Sequence, residues 1–95
     1  MTFDVMYMDG DSTVVFEFPT QQEGMEWDQT VVAIKAHNRQ IFQDGGRNRA
    51  ELQRWVDSVM NMRTRWGNKL VPKDFRVACN SFERQLGLPP TNWED

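Results

Sequence analysis

The stretch DGGRNRAELQRW, residues 44–55, sets Gly45 and Gly46 directly before two arginines and a helix start. A Gly-Gly turn feeding a helix N-terminus can aim free N–H groups at an anion, and the helix dipole helps. Arg47, Arg49 and Arg54 would add charge-assisted hydrogen bonds. These five residues form the candidate anion or nucleic-acid site. Against it, the phosphate-loop signature G-x-x-x-x-G-K-[ST] is absent, and Glu51 stands in the first turn of the helix. The plainer reading is a connection in which glycine closes one helix and Asn48 opens the next.

Other reactive groups are sparse. His37 and Cys79 are each the only one of their kind. A thiolate–imidazole pair would make them a nucleophile and base. Cys79, however, falls on the apolar face of a predicted helix, where a thiol behaves as a small hydrophobe. One Cys and one His also leave a zinc site short of ligands. Asp9-Gly10-Asp11 lacks the further oxygen positions and closing Glu of a calcium loop. No catalytic, cofactor or metal site is therefore expected, and the chain is read as non-enzymatic. Arg63 and Arg65 join the three arginines above, with Trp55 and Trp66 nearby, a mixture that single-stranded nucleic acid favours. The two tryptophans share a helix face with Val59 and Met62, so they are read as core first and the arginines as a solvated rim.

Exposed anchors are the other signal. On the predicted hairpin, Met6, Met8 and Val15 lie opposite the core face, edged by Asp4 and Glu17. If uncovered, such an acid-rimmed apolar patch marks a protein-binding surface. Trp93 near the C-terminus is expected to dock back or to mark a further contact. The hairpin edges could take a strand from a partner or from a second copy, giving a homodimer.

The elements that must position these groups follow from pattern. TFDVMYMDGDSTVVFEF alternates with period 2, putting Phe3, Val5 and Tyr7 on one face of a first strand, and Val14, Phe16 and Phe18 on one face of a second. Asp9-Gly10 predicts a type I′ turn, pairing Val5 with Val14 and Phe3 with Phe16. A wider loop would set Asp4 opposite Glu17, a like-charge pair, so the tight turn is preferred. Thr20 through Glu23 matches a capping box, and Trp27, Val31, Ile34 and Ile41 follow at helical spacing. The first helix is predicted over 21–43, with Gly24 weakening its first turn enough that Asp28 is an alternative start. A rival reading turns QTVVAIKA and RQIFQ into strands. Asn48 opens a second helix whose stripe runs Leu52, Trp55, Val56, Val59, Met60, Met62 to Trp66, with Gly67 at the stop. Pro72 starts a third, with Phe75, Ala78, Cys79, Phe82 and Leu86 facing in and Gly87-Leu88 as a Schellman stop. The expected fold is α+β: an N-terminal antiparallel β-hairpin packed on three α-helices. The alternative is a four-stranded antiparallel sheet with two helices. One small globular domain is expected over 1–95, with 87–95 as an extended tail.

The chain's net charge of −3 hides a segregation. Residues 1–34 carry seven acids and no Lys or Arg, whereas residues 35–86 carry all eleven bases against five acids. Overall acidity argues against a general nucleic-acid binder. No apolar run approaches the roughly 18 residues that span a bilayer, and the N-terminus lacks the pattern of a signal peptide. A lone cysteine forms no internal disulfide, so a cytoplasmic setting is expected. Together these favour a protein partner over nucleic acid, and no membrane. The expected function is a non-enzymatic protein-interaction module, of the phage- or mobile-element type that inhibits or adapts a host protein complex; the alternative is a nucleic-acid-binding accessory protein using the Arg-rich start of the second helix. A small assembly factor for virus particles is a further alternative.

Overall fold

The computed structural model describes residues 2–94; Met1 and Asp95, the ends of the expected domain and tail, lie outside the described residues. Two antiparallel strands, β1 (Phe3–Asp9) and β2 (Ser12–Phe18), are followed by helices α1 (Gln21–Gln43), α2 (Arg49–Trp66) and α3 (Lys73–Leu86), with a 3₁₀ turn at Asn68–Leu70. This is an α+β arrangement, and the four-stranded alternative is overturned: residues 29–43 are helical throughout. Their β-branched run loses to the signals at its ends. Thr20 Oγ1 accepts the Glu23 N–H at 3.2 Å. Beyond Gln43, Gly45 in the left-handed region (φ 85) lets its N–H reach Phe42 O and the Gly46 N–H reach Ile41 O. That is a Schellman stop. Gly87 closes α3 in the same way, its N–H on Arg84 O and the Leu88 N–H on Glu83 O.

The chain forms two compact units, up to Ala33 and from Ile34 onward, so α1 contributes its first half to one and its second half to the other. In the first unit the hairpin register differs from the expected one. Phe3 pairs with Phe18, Val5 with Phe16 and Tyr7 with Val14, and Asp4 does stand opposite Glu17. The turn residues are Gly10 and Asp11. Gly10 has φ 62 and no non-glycine residue among the described residues has positive φ, which excludes type I′ and fits type II′ with glycine first. The shift brings Phe18 into the ladder opposite Phe3, where it is buried. That gain outweighs the Asp4–Glu17 repulsion between two exposed carboxylates. Trp27 covers this face from α1, its ring 4.8 Å from Phe16, 5.5 Å from Phe18 and 6.1 Å from Tyr7.

Gly24 does not delay the helix; it admits β1. A Cβ there would collide with the Phe3 ring and stand 3.3 Å from Val5 Cγ2. Gly24→Val is therefore expected to cost about 1–3 kcal/mol by overpacking, although it removes a poor helix former. Phe3→Ala should recover most of that loss in a double-mutant cycle followed by urea denaturation.

In the second unit Leu52, Trp55, Val56, Val59 and Met62 of α2 are buried with Phe75, Cys79 and Phe82 of α3. The tail docks. Buried Glu83 accepts from the Thr91 N–H at 3.0 Å and the Thr91 hydroxyl at 2.6 Å. Arg63 donates to Asn68 Oδ1 and to Asn92 O, and its guanidinium lies 5.2 Å from the Trp93 ring centroid. Asn68 Nδ2 donates to Trp93 O at 3.2 Å. One arginine thus fastens both the 3₁₀ turn and the tail to α2.

Candidate protein-binding surface

Alternation along β1 sends Asp4, Met6 and Met8 to the face opposite the ring cluster, and the register brings Met6 opposite Val15 and Asp4 opposite Glu17. Met6 is 72% exposed, Met8 61% and Val15 52%. The five hairpin residues singled out from sequence therefore share one face, with two carboxylates at one end of an open apolar strip. Trp93, the sixth, belongs to the second unit, half-buried against Arg63.

Sequence reasoning missed the neighbouring groove. Phe3, Asp4, Val5 and Met6 line one wall; Gly24, Met25, Asp28 and Gln29 of α1 line the other, around a cavity of about 370 Å³. Met25 is 49% exposed. The available signal was the i, i+4 pairing of Gly24 with Asp28 on α1, together with a glycine that has no local reason to be there.

Several groups of the candidate anion site have partners within the fold. The N–H groups of Gly45 and Gly46 already donate to α1 carbonyls. The Glu51 N–H is capped by Asn48 Oδ1 at 3.2 Å. Arg49 donates to Gln85 O at 3.3 Å and Leu86 O at 2.9 Å, closing the end of α3. Its charge sits where a helix C-terminus favours a cation. Arg47 and Arg54 are exposed. Trp55 is buried, whereas Trp66 is half-buried under Arg65, whose guanidinium stands 4.4 Å from the ring centroid.

A second groove, of about 250 Å³, is lined by Lys73, Arg76, Val77, Asn80 and Trp93. The buried atoms Arg76 Nε, Asn80 Oδ1 and Trp93 Nε1 have no hydrogen-bond partner there.

Cys79 is fully buried, and burial first, then the adjacent Glu83 carboxylate and its hydrogen bond, push the thiol from 9.0 up to about 12. It is a thiol at neutral pH, the opposite of an activated nucleophile. His37 is half-buried on α1. Among the described residues no three His, Cys, Asp or Glu side chains gather as a metal cluster, and no helix is long and apolar enough to cross a membrane.

The raised thiol has a consequence for stability. Below pH 9 the thiol is protonated in both folded and unfolded chains. Above it the unfolded chain loses the proton first, so stability falls as pH rises from about 9 toward 12, by up to about 1.4 kcal/mol per pH unit. Cys79→Ala should lack this component. Urea denaturation of both proteins at pH 8 to 10.5 measures the difference in slope.

No protein-family model matches the chain, and no curated protein and no solved structure matches it either.

Proposed function

We propose that the chain is a non-enzymatic protein-interaction module that docks through the outer face of its hairpin, acting as an inhibitor or adaptor on a larger protein complex. The observation that carries this reading is the uncovered strip of Met6, Met8 and Val15 ending at Asp4 and Glu17. Methionine side chains adapt to irregular partner surfaces, and two cross-strand carboxylates select a partner carrying positive charge at that end. The segregation of acids into residues 1–34 extends the same polarity beyond the strip.

The test replaces all three apolar residues with threonine, which keeps strand propensity. Met6→Thr/Met8→Thr/Val15→Thr should fold with unchanged far-UV circular dichroism. A partner isolated on the unaltered chain from the organism that encodes it should bind the variant at least about 30-fold more weakly, the scale of losing one or more interface hot spots. Equal affinity of the two forms in calorimetry would remove this face as the docking surface.

A further inference from the structure

On the reading that the hairpin is a docking surface, we infer that the free edge of β1 takes an extended, basic segment of the partner as a third strand. Successive strand side chains point to opposite faces. A groove touched by four consecutive residues, Phe3 through Met6, therefore runs along the edge of β1 rather than over one face. Among the described residues β1 has β2 as its one strand neighbour. A two-residue turn closing on Asp9 and Ser12 makes that pair a hydrogen-bonded one, and pairs then alternate down the ladder. The backbone groups of Phe3, Val5 and Tyr7 thus face β2, whereas those of Asp4 and Met6 face outward, into the groove. Met25 and Asp28 of α1 form its far wall.

The chemistry of the groove names its occupant. Phe3, Val5, Met6 and Met25 offer apolar contact, and Asp4 and Asp28, both exposed, offer the only charges among the described residues of its walls. Residues 1–34 contain no Lys or Arg. A strand alternating apolar residues with Lys or Arg would lay the apolar set toward Phe3 and Val5 and the cations toward Asp4. A second copy paired edge to edge would instead bring two such acidic segments together, with like charges across the new ladder. A basic segment of another protein is favoured on both counts.

The probe is the capped peptide VKVKVKV, with VEVEVEV and two analogues N-methylated at odd or even positions as controls. VKVKVKV should bind with a Kd in the micromolar to millimolar range and slow hydrogen exchange at the Asp4 and Met6 amides by tenfold or more, while VEVEVEV does neither. One N-methyl analogue should lose binding and the other keep it, because only one edge of the peptide faces β1. Asp4→Lys/Asp28→Lys should weaken VKVKVKV at least tenfold. Asp4→Lys also removes the like-charge pair with Glu17, so the loss cannot come from a weaker hairpin. Binding without slowed exchange at Asp4 and Met6, equal binding of both analogues, or a dimer whose edge amides are already protected would overturn the inference. If the peptide fails while the triple threonine variant still loses its partner, strand addition falls and the docking face stands; if both fail, the docking reading falls with it.

Discussion

Trp55→Ala is expected to lower the unfolding free energy by about 3–5 kcal/mol, the range for deleting a buried aromatic ring. Trp55 is fully buried. Its indole N–H donates to Ile34 O at 3.1 Å. Its ring meets Phe75 and Phe82 edge-on, at 6.0 and 5.0 Å between centroids. Alanine leaves a cavity where the indole meets Phe75 and Phe82 of α3. A chain of this length has of order 5–15 kcal/mol in all, so the variant sits near the threshold of folding. Trp55→Phe separates the contributions. It keeps most of the apolar volume and loses the hydrogen bond, for about 1–2 kcal/mol. Urea denaturation followed by circular dichroism reads both. A Trp55→Ala chain within 1 kcal/mol of the original would mean that the α2 stripe is not the support of this unit.

How much of this was legible in sequence depends on the range over which each feature is decided. The bounds of α1 and the stops of α1 and α3 were readable because Thr20, Gly45 and Gly87 act on backbone groups three to five residues away. The hairpin register was not. Asp9-Gly10 is a strong local turn signal, yet the turn moved to Gly10-Asp11, because the longer ladder brings Phe18 opposite Phe3. Gly24 read as a weak point of the helix, whereas its reason lies in a strand twenty residues earlier. Arg49 read as part of a charged rim; its partners, Gln85 O and Leu86 O, are more than thirty-five residues away. Glu83, adjacent to Phe82 on α3, is buried where Thr91 returns to it from the tail. The outer-face residues were readable, since period 2 assigns faces in either register. The groove beside them needed the placement of α1 against β1, which no local pattern encodes.

Trp27→Ala should have an effect of similar size, about 3–5 kcal/mol, but with a different signature. A two-stranded hairpin is marginal in water by itself. Here Trp27, fully buried, covers it, with ring contacts to Tyr7 of β1 and to Phe16 and Phe18 of β2. Removing the indole takes away the contact shared by both strands and the edge-to-face and tilted ring pairs, each worth about 0.5–1.5 kcal/mol beyond area. The first consequence is local: amide exchange in β1 and β2 should speed up well before that of α2 and α3, as a low-stability unit opens ahead of the rest. The second is functional. Trp27 lies on the face away from Met6, Met8 and Val15, so it cannot touch a partner docked there. Partner affinity should nevertheless fall, because the outer strip exists only while the two strands are paired and the fraction of competent molecules sets the apparent Kd. Trp27→Phe should restore most of both. Hairpin amides as protected in Trp27→Ala as in the original chain would show that something other than this ring holds the strands, and the link from core packing to docking face would be lost.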